Sequence, residues 1–116
     1  ATLTSTPAVP FTPLPSPALV CPDAPPTFLG VGKWAMVSLD PPLASRLRAE
    51  PSLAGKLVGQ ADAGQLMEII AGPDCADGYV WWQVRLQGQN LVGWTVEGEA
   101  PNYWLIPCAS EEDCGQ

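Results

Sequence analysis

From residue 30 onwards, apolar and polar side chains alternate in short runs broken by glycine, proline and aspartate. A period of two over four to eight residues marks a strand with one buried face. In Gly32–Leu39, Ala35, Val37 and Leu39 fall on one face, and Trp34, Met36 and Ser38 on the other. Asp40-Pro41-Pro42 ends that run. Arg46-Leu47-Arg48 is a short strand with Leu47 inward, stopped by Glu50-Pro51-Ser52. Lys56–Gln60 carries Leu57 and Val58, and Asp62-Ala63-Gly64 is a turn. Gln65–Ala71 then places Met67 and Ile69 on one face, before Gly72-Pro73-Asp74 opens a loop through Cys75 and Asp77-Gly78. Tyr79–Leu86 turns Val80, Trp82 and Val84 inward and Trp81, Gln83 and Arg85 outward. A turn at Gly88 leads into Leu91–Val96, where Gly93 permits a close backbone approach before Trp94. Asn102–Ile106 is the last strand. Six or seven short strands with turn residues between them, and no long helical pattern, predict an all-β barrel. Its expected core holds Val37, Leu47, Val58, Met67, Ile69, Trp82, Val84 and Trp94.

Residues 1–20 follow no such pattern. They hold Pro7, Pro10, Pro13, Pro15 and Pro17 and no charged side chain. Proline fixes φ and removes backbone donors, so an extended, polyproline-like arm is expected. A plain linker usually carries charge; this one carries Leu3, Val9, Phe11, Leu14 and Leu19 instead. Such an arm is suited to docking on a surface. The expected organisation is an arm over 1–20, a barrel over 21–107 and an acidic tail over 108–116.

The chain has 116 residues, which suits one domain, and a net charge of −7 from 5 basic and 12 acidic side chains. That balance argues against nucleic acid or an anionic membrane surface as partner. Histidine is absent, which removes the commonest general base and metal ligand. No run approaches the roughly 18 apolar residues of a membrane-spanning helix. The chain opens on Ala1 without an apolar leader, as an exported protein does after its signal is removed, or as a fragment of a longer chain does.

The four cysteines, Cys21, Cys75, Cys108 and Cys114, suggest two disulfides and an oxidising compartment. Three connectivities are open, and spacing alone does not choose among them. Cys108–Cys114 is the natural local pair, closing a small C-terminal loop and leaving Cys21 for Cys75. An intermolecular bridge is the alternative.

The middle of the chain resembles the bacterial Src-homology-3-like (SH3-like) domain. Leu47-Arg48-Ala49-Glu50-Pro51-Ser52 looks like that family's strand ending in Arg-Ser-Gly-Pro-Ser. Leu57-Val58-Gly59 followed by Ala63-Gly64, then Trp81-Trp82-Gln83-Val84, then Gly93-Trp94-Thr95-Val96 match its later strands in order. One departure is Glu50, where the family usually has glycine. The resemblance implies an SH3-like barrel over roughly 21–107. Cys21-Pro22 together with Cys75-Ala76-Asp77-Gly78 is similar to exported modules of that family, which favours a Cys21–Cys75 bridge.

Trp34, Trp81, Tyr79 and Trp104 are the candidate groove or interface aromatics, because an exposed aromatic in a small domain calls for a partner surface. Asp74, Asp77, Glu97 and Glu99 lack the spacing of a calcium loop and are expected to be solvated turn acids. Glu111-Glu112-Asp113 is an acidic tip, suited to a basic patch on a neighbour. No catalytic, metal or cofactor pattern emerges, so no enzyme is expected. Two readings follow. The first is a secreted structural protein of the bacterial surface, assembling with itself into a filament or tube through its arm. The alternative is a cell-envelope binding module that reads wall peptide or glycan through an aromatic groove.

Overall fold

The computed structural model describes residues 20–40, 42–99 and 102–108. The expectations for the arm side chains Leu3, Val9, Phe11, Leu14 and Leu19, and for Cys114, lie outside those residues. The described chain is all β, with no helix. In chain order the strands are β1 Trp34–Val37, β2 Ser45–Arg48, β3 Leu57–Ala61, β4 Leu66–Ala76, β5 Tyr79–Leu86, β6 Val92–Val96, β7 Gly98–Glu99, β8 Asn102–Tyr103 and β9 Leu105–Cys108. Seven form one antiparallel sheet in the order β3-β2-β6-β5-β4-β1-β9, and β7 pairs with β8 in a small hairpin.

The sheet curls on itself. Ala61 on β3 and Leu105 on β9 belong to opposite edges, yet both sit in one buried cluster with Val37, Leu47, Met67, Ile69, Trp82 and Val84. A flat sheet would hold its two edges too far apart for that. The β3–β4 turn assists, because Gly64 N–H bonds Val37 O and Val37 N–H bonds Gln65 O, tying the turn to β1.

Asp77 and Gly78 connect β4 to β5 with φ of 55° and 80°. Two positive φ values match the right-handed twist of the flanking strands, and Asp-Gly is a sequence that tolerates them. Gly93 serves packing instead, since a Cβ there would lie 2.8 Å from Leu47 Cβ. Only glycine lets β6 lie this close against β2.

Several expected positions differ. β4 does not stop at Ala71 but continues to Ala76, with register shifts between Ile69 and Ala71 and between Ala71 and Asp74. Two irregularities in one strand let the Gly72-Pro73 region bend without leaving the ladder. Leu39, expected inward, is exposed, because β1 ends at Val37. Val58 is a correction to the expected core: it is 38% exposed. Leu47 pairs with Gly59 and Arg48 with Leu57, so Val58 is the extra residue of a bulge and turns outward. Trp94 is a second correction, half-buried rather than in the core, because β6 directs Gly93 and Thr95 inward. The last strand is split into β8 and β9 around Trp104.

Cys21 and Cys75 form a disulfide with Cα atoms 5.6 Å apart. It pins the segment before β1 to the far end of β4. Cys108 is also disulfide-bonded. Its expected partner Cys114 lies outside the described residues.

Candidate functional site

Strand alternation on β5 sends Trp82 and Trp81 to opposite sides of the sheet. Trp82 enters the central cluster, and its indole N–H donates to Glu97 Oε1 at 2.9 Å. Trp81 stands apart from that cluster, yet it is only 1% exposed, a correction to the outward position expected of it. Its Nε1–H donates to Ala76 O at 3.0 Å, and it lies opposite Val96 on β6 and Asp74 on β4. The second face of the sheet is therefore covered at this point, and Trp81 forms part of the floor of an open cleft.

The cleft has a volume of about 520 Å³. Leu43, Leu53, Trp81 and Trp104 are its main apolar lining, and Arg46 and Arg48 are its charged side chains. The two arginines flank Leu47 on β2, so both point away from the core that Leu47 fills. Arg48 donates from Nη1 to Gly55 O at 3.0 Å, which anchors it to the loop after β2. Arg46 is exposed and makes no hydrogen bond or ion pair among the described residues. Among the described residues no acidic side chain lines the cleft.

The other expected groove aromatics are elsewhere. Trp34 borders a shallow hollow of about 260 Å³ with Glu68, Arg85 and the β5–β6 turn. There Arg85 Nη2 and Glu68 Oε1 form a 2.7 Å ion pair across β4 and β5. Tyr79 lines neither space, and its hydroxyl donates to Glu99 Oε1 at 3.1 Å. That hydrogen bond and the charge of Glu99 raise the Tyr79 pKa above the usual 10.0. Of the four expected aromatics, the structure brings together Trp81 and Trp104.

The four acids also separate. Asp77 Oδ2 accepts Leu53 N–H at 2.8 Å, holding the cleft wall against the β4–β5 turn. Glu97 is not a solvated turn acid: it is 2% exposed and accepts from Thr27 Oγ1–H, Trp82 Nε1–H and Phe28 N–H. Buried polar groups must be paired, and this one is paired three times. Its main chain takes part too, since Glu97 O accepts from Trp104 N–H and Leu105 N–H at 2.9 and 3.0 Å. Nearby, Tyr103 O–H donates to Pro26 O, and burial with the charge of Glu97 raises its pKa above 10.0. Glu97 thus joins the segment before β1 to β5 and β9, and it carries no reactive geometry.

Among the described residues no group of three or more cysteine, aspartate or glutamate side chains could hold a metal ion. No helix among them is long and apolar enough to cross a membrane. Sequence reasoning did not find Leu43, Leu53 or the Arg46–Arg48 pair as cleft residues. Alternation about Leu47 was the available signal for the arginines, whereas the two leucines come from loops that no periodicity places. No family model, no curated protein and no solved structure matches the chain.

Proposed function

We propose that this chain is a non-enzymatic structural protein of the bacterial surface, built on an SH3-like barrel and polymerised through its N-terminal arm. The sheet order and its curl around one core support the barrel. The Cys21–Cys75 bridge fits an oxidising, extracellular setting.

The observation that carries the assembly reading is the edge strand β3. Among the described residues it has one strand neighbour, β2, and its other edge is open to strand addition. Leu57 and Val58 on it are 52% and 38% exposed, and Val92 on β6 is exposed as well. An exposed apolar edge is a surface that calls for a partner. Residues 1–19 are uncharged and rich in apolar side chains, which suits them to cover it. Non-proline stretches such as Leu3-Thr4-Ser5 would add short strand segments, and the proline-rich middle would dock through side chains only. Docking on the next copy is head-to-tail and does not close, so it yields a filament or tube.

The test is light scattering with negative-stain microscopy on the full chain and on a chain lacking residues 1–19. Regular particles that vanish on truncation are expected, as they are with Phe11→Asp combined with Leu14→Asp. Monomers in both samples, with saturable binding to purified cell wall, would replace this reading with that of an envelope-binding module.

A further inference from the structure

The cleft between β2, β5 and β6 has a charge pattern unlike the rest of the molecule. The chain carries 12 acidic and 5 basic side chains. Two of the five, Arg46 and Arg48, line this one cleft, and no acid does among the described residues. Arg46 has no partner among the described residues, and Arg48 spends one N–H on Gly55 O, leaving the rest of its fork. A guanidinium presents five donors in a plane and takes carboxylates two at a time. The apolar side chains of Leu43, Leu53, Trp81 and Trp104 beside the arginines would shed water as an occupant covers them, which strengthens such a contact.

We infer that this cleft binds the acidic segment Glu111-Glu112-Asp113 of a second copy of the chain. The inference rests on the reading of the chain as self-assembling, and it adds a second contact to the one made by the arm. Charge decides between the two termini. Residues 1–19 have no charged side chain to offer the arginines, whereas the C-terminal segment has three consecutive carboxylates. Direction argues for a neighbour as the source. Trp104 borders the cleft, but β9 then runs from Leu105 to Cys108, where it lies beside Trp34. Four strand residues carry the chain about 13 Å from Trp104 before the acidic segment begins. The described chain thus leads away from the cleft, which favours a neighbour's segment as the occupant.

The probe is a labelled peptide of residues 108–116, closed by a disulfide between its two cysteines. The receptor is the full chain bearing Glu111→Gln, Glu112→Gln and Asp113→Asn, which leaves its cleft free of self-competition. Fluorescence anisotropy should show saturable binding that weakens as salt rises. Arg46→Glu in the receptor should weaken it at least roughly tenfold, and Arg46→Lys should restore part of it. Arg46 is exposed and unbonded, so neither change threatens the fold. Three results would overturn the inference: no saturable binding, binding indifferent to Arg46→Glu, or binding kept by a peptide with its three acids neutralised. Displacement of the probe by a peptide of residues 1–19 or by a wall peptide would also overturn it, by naming another occupant. Failure here is separable from failure of the arm. Deleting residues 1–19 should abolish polymers yet leave peptide binding intact.

Discussion

Glu97→Gln is the sharpest test of how this fold is held together. The carboxylate is buried and receives three donors: Thr27 Oγ1–H and Trp82 Nε1–H on Oε1, and Phe28 N–H on Oε2. Glutamine keeps the shape and loses an acceptor. With its oxygen at the Oε1 position, the amide NH2 faces Phe28 N–H, donor against donor. Stranding that donor costs about 1–3 kcal/mol. The two remaining bonds pass from a carboxylate to a neutral acceptor and weaken by roughly half, another ~1 kcal/mol together. The flipped amide does no better, because it strands Trp82 Nε1–H instead. The combined loss is about 2–4 kcal/mol. In urea, with a slope of about 1–3 kcal/mol/M, the midpoint of the tryptophan fluorescence transition should fall by roughly 1–2 M at unchanged slope. Glu99→Gln is the control, an exposed acid whose described partner is the Tyr79 hydroxyl, and it should stay within about 0.5 kcal/mol. If Glu97→Gln is no worse than Glu99→Gln, the buried carboxylate does not join these segments energetically.

Three further outcomes are expected. Cys21→Ser with Cys75→Ser opens a loop of separation 54, which the chain-entropy model values at about 4 kcal/mol, so thermal denaturation should show a fall in Tm of more than 10 °C or outright unfolding. Gly98→Ala would place a Cβ 2.6 Å from Tyr103 Cα on the facing backbone; a loss of about 1–3 kcal/mol in urea denaturation is expected, with a neutral result refuting the packing of β7 on β8. The phenolate absorbance near 295 nm should titrate with both midpoints above 10.0, because each tyrosine is held neutral in the fold. A raised acid pKa in the folded state gives stability that is present below pH 10 and lost as pH rises through the shifted value, so the urea midpoint should fall across the titration.

Strand positions were the most legible feature. Tyr79–Leu86 occupies the residues that its alternation marks, and β1, β2 and β3 fall within a residue or two of their expected bounds. Alternation gives facing but not what covers each face. Trp81 and Trp82 do point opposite ways, yet both are buried, since loop residues and β2 close over the second face. Val58 went astray because a bulge shifts the period by one, and a bulge leaves no mark in the hydrophobic pattern. Glu97 was invisible for a different reason. Its three donors come from residues as far as 70 positions away, and an acid next to a glycine reads like any solvated acid. The cleft was half legible, through Trp81 and Trp104, while Leu43 and Leu53 arrive from turns whose course only the assembled sheet determines.

The covalent link between Cys21 and Cys75 also decides how the molecule answers to tension. In a polymer joined by arms, a pull enters each subunit at Val20, one residue before the link. It passes at once into the far end of β4, so the stretch from Pro22 to Asp74 is a covalently closed loop, and the force reaches the docking edge only through it and the folded sheet. β1, β2 and β3 all lie in that loop, including the edge that would hold the neighbour's arm. A separation of 54 residues, at about 3.4 Å each, amounts to roughly 180 Å of contour that closes on itself at the bridge and cannot be drawn out end to end while the chain is oxidised. In such a polymer the bridge shortens the chain that can unravel between the arm a subunit sends out and the edge that holds its neighbour's arm.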